Sequence, residues 1–363
     1  MVIDPARRRL LRCAAAWTLT SPLRALARTA VLESALLGGW KQDGRDYVGI
    51  WQRTSGARGV EIPFRAHQVV VDPTDPHSVI AVARRPGEFL ARIDLGSMQL
   101  SALQAIDADF AANGHAVFDA HARTLLVSEN DVLTGEGAIG IYDADSLVCR
   151  ARHPTFGIGP HALLREPGDT LLVANGGVLT LPQSGRTKLN AGSIDSSLVR
   201  LGPDGRRLGQ WRFADRNLSI RHLAYTQQGT VGIALQGEHA DVEERERAPV
   251  LAIFDGHSLR HAQMPAISLG GYGGDVASVD TSSGPLFAVG CTRASLVALW
   301  DGAGQYLGAY PLNSACALAA GTAALIAPSQ SGEVGALAAN DQNNWVVCKG
   351  APAWDNHAVV WAR

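Results

Sequence analysis

The chain has 363 residues, 46% hydrophobic and 6% aromatic, with a net charge of −2 at pH 7. That length supports a large core, and the absence of a Lys/Arg run in the body excludes nucleic acid as the partner class. No apolar run reaches the roughly 20 residues that span a bilayer.

The N-terminus reads as an address. Arg7-Arg8-Arg9-Leu10-Leu11 fits a twin-arginine signal. A modest apolar stretch, Cys13 to Thr20, follows it, and Ala25-Leu26-Ala27 offers a small-x-small cleavage site. Residues 1–27 are therefore expected to be an export signal and the mature protein to be periplasmic. The alternative is an ordinary basic tail, favoured by the shortness of the apolar stretch and by Pro22-Leu23-Arg24. Cys13 would leave with the signal, while Cys149, Cys291, Cys316 and Cys348 would stay. No CxxC pair is present, which removes zinc-ribbon, thioredoxin-like and c-type haem readings. A periplasmic location permits a disulfide, but spacing selects no pair.

From residue 35 onward the chain reads as short strands. Leu36–Lys41, Tyr47–Trp51 and Gly59–Phe64 are three of them. The first full repeat then runs His67–Val71, Ser78–Ala83, Phe89–Asp94 and Leu100–Ile106, separated by Pro, Gly and Asp clusters. The second runs His115–Phe118, Thr124–Ser128, Gly140–Asp143 and an outer strand before His161. The third has Thr170–Ala174 and Ser197–Arg200 around a long insertion, Gly176–Asn190. Glu238–Arg247 is charged and is expected to be a surface loop, so no helix of consequence is predicted. The chain ends in one more strand, His357–Trp361.

Seven of these runs begin with a polar residue: His67, His115, His161, His222, Asp275, Cys316 and His357. Their spacings are 48, 46, 61, 53, 41 and 41 residues, periods that point to a toroidal repeat. The predicted fold is an all-β, seven-bladed β-propeller in one domain over residues 35–363. Its last blade combines the C-terminal strand with the three N-terminal ones. Closure of that kind removes exposed sheet edges. A count of six or eight blades, through a wrong split at the insertion, and a different β fold are the alternatives. A closed ring is expected to be a monomer.

Several segments resemble a family of exported bacterial propeller proteins known as domain of unknown function 1513. They are Glu129–Asp131, Gly137–Asp143, Thr155–His161, Val173–Gly177, Gly185–Asn190, Leu218–Leu223 and Trp354–His357, in order over roughly residues 35–363. The resemblance implies seven blades and periplasmic export. Genes of this family often sit beside imelysin-type iron-uptake proteins and a di-haem oxidoreductase-like protein, which implies a role in iron or other metal handling. The chain departs from the family pattern in having His67-Gln68 where His-Gly is common, and in its short signal.

A propeller brings the leading residues of its innermost strands together at the channel mouth. His67, His115, His161, His222 and His357 would converge there with Asp275 and Cys316, five consecutive blades supplying histidine along one arc. Neutral imidazole is the commonest metal ligand. Imidazoles with a carboxylate suit iron, copper, zinc or nickel, and a thiolate shifts the preference toward softer ions. A transition metal ion, iron or copper, is the expected cofactor. Glu129, Asn130, Asn175, Arg221, Asp355 and Asn356 are candidates to orient the ligands. The Asn175-Gly176-Gly177 turn and the loop with Arg186 and Lys188 would alternatively bind an anion, although Asn-Gly-Gly is equally a turn needing positive φ. Gly270–Gly274 lacks the strand–helix context of a phosphate loop and reads as a crossing. Two readings leave out the metal: a polar, water-filled channel, and histidines that merely brace each blade.

Three functions follow. The first is a periplasmic metal-binding propeller accessory to metal uptake, with periplasmic iron-uptake proteins as partners. The second is a metal-dependent enzyme, a lactonase-like hydrolase or a metal oxidoreductase. The third is a protein-interaction platform, a role fold alone cannot separate from the others. Neither a Gly-x-Ser-x-Gly elbow nor HExxH occurs in the sequence.

Overall fold

The structure is a computed structural model that describes residues 34–119, 121–185, 187–321, 324–338, 341 and 343–361. The export signal expected at residues 1–27 lies outside them. The described chain folds into seven four-stranded antiparallel sheets. Blades 1 to 6 open with innermost strands Ala66–Asp72, Phe110–Phe118, Pro160–Arg165, Leu218–Tyr225, Gly273–Thr281 and Ala319–Ala320. Blade 7 takes its innermost strand, Ala353–Trp361, from the C-terminus and adds Ala35–Gln42, Arg45–Gln52 and Gly56–Ile62 from the N-terminus. Trp361 pairs with Ala35, so the two ends of the chain are hydrogen-bonded into one sheet and close the ring.

The core lies between blades. Leu37, Val48 and Trp361 of blade 7 pack on Val79, Ala81 and Ile93 of blade 1. Ile80, Val82 and Leu90 on the other face of blade 1 meet Phe118, Leu125 and Tyr142 of blade 2. The alternating apolar pattern of each strand therefore serves two interfaces, one on each face, as a sheet buried on both sides requires.

Every innermost strand loses its regular register close to its leading polar residue. His67 is an extra residue between the pairs Ala66↔Ala83 and Gln68↔Val82. Asn113, Gly114 and His115 oppose the single Ser128, and Arg221 is extra beside the His222↔Ala234 pair. His161 and Ala162 oppose Ala174, Gly274 and Asp275 oppose Gly290, and Asp355, Asn356 and His357 oppose Gly39. In blade 6 the bridge Ala315↔Ser329 and the pair Ala319↔Ile326 leave Cys316, Ala317 and Leu318 opposite two residues. Bulges bend a strand and re-aim a side chain. Here they carry the five histidines and Asp275 from the blade faces toward the axis, while Cys316 stays in the core between blades 6 and 7.

One expectation is corrected. Glu238–Arg247 contains a short helix, Val242–Arg247. The Asp241 side chain accepts from the Glu244 N–H at 2.9 Å. Glu243 and Glu244 lie in its first turn and Arg245 and Arg247 in its last, each sign matched to the helix dipole. No helix among the described residues is long and apolar enough to cross a membrane.

Candidate metal centre

The bulges bring five imidazoles into one cluster on the propeller axis. His67, His161, His222 and His357 form a quadrilateral of rings. Its sides are 5.2 Å (His67–His161), 4.7 Å (His161–His222), 4.6 Å (His222–His357) and 4.9 Å (His357–His67) between ring centres. The diagonal from His67 to His222 is 6.2 Å. His115 lies 4.5 to 5.2 Å from all four, so it caps the quadrilateral. Asp275 flanks one edge, its carboxylate 3.3 Å from His357 Nδ1 and 4.0 Å from His222 Nδ1. Three sets of donor atoms come close enough to hold a metal ion: His67, His115 and His357; His115, His161 and His222; and His222, Asp275 and His357.

The cluster is buried, with His67, His115, His161 and His222 each 6% exposed or less. The sequence suggested an arc of histidines at the channel mouth; the bulges turn these side chains inward, where they pack ring against ring. Burial drives the pKa values of His67, His115, His161 and His222 far below the ordinary histidine value, and neighbouring imidazoles add to the effect. These four are neutral at pH 7, the form that ligates metals. Each of the five leaves a buried nitrogen without a hydrogen-bond partner among the described residues. They are both nitrogens of His67, Nε2 of His115 and His357, and Nδ1 of His161 and His222. Buried polar atoms are rarely left so. The donor set thus fits a metal ion chemically and could hold one.

Asp275 is fixed independently of the imidazoles. Its Oδ1 accepts from the Val276 N–H and its Oδ2 from the Leu318 N–H, both at 2.9 Å. The carboxylate therefore joins blade 5 to blade 6 while facing two histidines.

Cys316 enters none of the three donor sets. It is fully buried among Leu36, Trp51, Ile326 and Trp354, and its thiol points at the Asp355 carbonyl, 3.3 Å away. Burial pushes its pKa up, so it is a neutral thiol. The expected softening of the site by a thiolate therefore has no structural basis.

The residues expected to orient the ligands divide into two groups. Arg221, Asp355 and Asn356 stand beside the cluster. Arg221 is 1% exposed, donates to Glu238 at 3.3 Å, and has an unpartnered Nε. Asp355 accepts from Arg65 and from the Asn356 N–H, and lies 3.7 Å from Arg84. Glu129 is occupied elsewhere, and Asn130 and Asn175 use their amide N–H groups elsewhere while their buried Oδ1 atoms have no partner among the described residues. Glu129 accepts from the Tyr142 hydroxyl and, at 2.8 Å, from Arg152 Nε, bracing blade 2. Asn130 donates to Asn113 at 3.4 Å. Asn175 donates to the Thr155 carbonyl at 3.0 Å and to Ser197 Oγ at 3.3 Å, tying blade 2 to blade 3.

The loop after Asn175 follows the turn reading. Gly177 has φ +71° and Asn190 donates to its carbonyl at 2.7 Å. Lys188 pairs with Glu238, the carboxylate that also receives Arg221. Arg186 lies outside the described residues.

Above the quadrilateral is a narrow cavity of about 30 Å³. His67, His161 and His222 line it from one side, and Arg84, Arg85, Arg221, Gln236, Tyr272 and Asn356 complete it. His115 and His357 are not part of this lining. A cavity of about 660 Å³ lies along the innermost strands of blades 7 and 1 to 3, lined largely by apolar residues such as Val69, Val71, Val117, Leu163 and Val359. Sequence reasoning missed Arg84, Arg85, Gln236, Tyr272 and Glu238. Arg84-Arg85-Pro86-Gly87 looks like a polar turn; the available signal was that it directly follows a buried strand at the same end of the blade as His67.

The sequence profile of the family described as "Protein of unknown function (DUF1513)" matches residues 60–361, and the chain belongs to this family. No curated protein matches it. Among solved structures, hydrazine synthase of Kuenenia stuttgartiensis is similar at a TM-score of 0.57 and 16% identity, covering 85% of this chain and 90% of that one. A streptogramin B lyase gives 0.57 at 10% identity, covering 88% of each chain. The computationally designed protein Ika8 gives 0.54 at 12%, covering 90% of each. Such distant similarity establishes the propeller fold alone.

Proposed function

We propose that this family member is a metal-binding propeller that holds one transition metal ion with His67, His115, His161, His222 and His357. The observation that carries this reading is the ring geometry. With a metal–nitrogen bond of about 2.1 Å, ring centres lie ~3.2 Å from the ion, so adjacent rings stand ~4.5 Å apart and opposed rings ~6.4 Å. The sides of 4.6–5.2 Å, the cap at 4.5–5.2 Å and the diagonal of 6.2 Å follow that pattern. The donor atoms fall in three overlapping sets, joined through His115, His222 and His357, and Asp275 would orient His357. Imidazoles with a carboxylate suit iron, copper, nickel or zinc. Iron comes first because the family resemblance implies a role in iron handling.

In this reading residues 1–27 export the folded chain to the periplasm, where the propeller serves metal uptake as a monomer. The test is elemental analysis of protein from its native compartment, followed by reloading of the stripped protein with iron, copper and zinc. One ion per chain is expected, with binding abolished in the His115→Ala/His161→Ala/His222→Ala variant. Unchanged binding in that variant refutes the assignment. A second reading, a metal oxidoreductase, is favoured over a lactonase by one observation: a cavity of about 30 Å³ facing the imidazoles is too small for a lactone ring. Turnover of small redox-active molecules by the loaded protein would establish it.

A further inference from the structure

We propose that the cavity beside His67, His161 and His222 takes a small anion, held by Arg221 and by the arginines across the cavity, Arg84 and Arg85. The inference rests on the five-histidine reading and adds to it the class of ligand that would bind beside the metal.

Three observations carry it. First, the cavity is lined by His67, His161 and His222 together with Arg84, Arg85 and Arg221. A ligand there would meet imidazoles and arginines at once. Second, Arg221 is a 1% exposed cation whose Nε has no partner, in a wall of that cavity. Its carboxylate partner Glu238, at 3.3 Å, is shared with Lys188. Across the cavity, Asp355 is shared in the same way between Arg65 and Arg84. Glu238 and Asp355 thus each face two cations, whereas Asp275 lies on the other side against His222 and His357. A buried cation in that setting is stabilised by an added anion. Third, the volume sets the size. About 30 Å³ admits roughly two water-sized spheres. That selects anions of about two to four heavy atoms, such as azide, formate or bicarbonate, over tetrahedral phosphate or sulfate. Asn356 lines the same space, with its buried Oδ1 unpartnered among the described residues.

The test uses the copper(II)-loaded protein and azide as the probe, followed by its charge-transfer absorption and by electron paramagnetic resonance. Wild type is expected to bind azide and formate, with phosphate at least tenfold weaker. Arg221→Met is expected to weaken azide at least tenfold with copper stoichiometry unchanged. Should Arg221→Met fail to fold, Asn356→Leu narrows the same cavity and is expected to weaken azide equally. A copper-loaded wild type indifferent to azide, or a copper-loaded variant with wild-type azide affinity, overturns the inference and leaves the metal site standing. A wild type that takes up no metal overturns the five-histidine reading and, with it, this one.

Discussion

His222 and His357 come from blades 4 and 7, yet their ring centres are 4.6 Å apart, with the Asp275 carboxylate against both. The arc of histidines running from blade 7 through blades 1 to 4 therefore closes on itself across the axis. Asp275 stands at the seam. Asp275→Asn would keep a carbonyl oxygen for one backbone N–H but lose the charge that orients His357. Loss of such an outer partner typically costs 10–100-fold in metal affinity. That loss is expected here, measured by competition with a chelator. Wild-type affinity in Asp275→Asn would show that the carboxylate only joins blades 5 and 6.

Gly114 precedes the capping histidine inside the blade 2 bulge. Its φ is +100°, and a Cβ there would run into the His67 ring. Gly114→Ala is therefore strained in backbone and sterically at once, at a cost of about 1–3 kcal/mol. The displaced ring is a ligand, so metal affinity should fall at least tenfold together with stability. Chemical denaturation of the apo-protein and metal titration measure the two losses separately. A loss of stability with affinity intact would mean that His67 does not ligate.

The blades were legible because strand alternation and turn residues recur with the repeat. The histidine register was legible for the same reason: equivalent positions share an environment. What the sequence did not carry was the bulge geometry. Whether His67 points into a channel mouth or across the axis depends on one extra residue between Ala66 and Gln68 in the ladder. The period places Cys316 in the same series, but a thiol is small and apolar enough to be absorbed into the core between blades 6 and 7. Glu129 and Asn175 look like site residues in their motifs, and only the partners Tyr142, Arg152 and Ser197 reveal them as braces. Arg84 and Arg85 reach the cavity from a turn whose composition suggests solvent.

Cys316 and Glu129 provide the contrast. Cys316→Ala removes a buried thiol outside the donor sets, so metal stoichiometry and affinity are expected to stay within twofold of wild type. Its raised pKa also predicts slow labelling by thiol reagents at pH 7 until the protein unfolds. Glu129→Gln strips the charge from a buried carboxylate that Arg152 and Tyr142 share. Arg152 keeps Asp107 at 2.8 Å, so the loss is that of charge-assisted hydrogen bonding, about 1.5–3 kcal/mol. Stability should fall by that order while the metal site is unaffected. Altered metal spectra in either variant would return these residues to the site.

The depressed pKa values of His67, His115, His161 and His222 set the pH dependence of the apo-protein. Each is held neutral in the fold but titrates near 6.5 when unfolded. Above that pH both states are neutral and the histidines add no pH dependence. Below it the unfolded chain binds protons that the folded chain refuses, so stability falls as pH drops through 6.5 and continues to fall until the folded values are reached. Each histidine contributes a slope of about 1.4 kcal/mol per pH unit once the unfolded form is fully protonated. Four together approach roughly 5 kcal/mol per unit. Urea unfolding of the stripped protein between pH 7.5 and 5 should show this steep loss, and His115→Ala/His161→Ala should about halve the slope. Bound metal shifts the loss to lower pH, because the ion occupies the lone pairs that protons would take. A flat profile for the stripped wild type over that range would mean that the imidazoles accept protons in place and that the cluster is not the low-dielectric site its burial indicates.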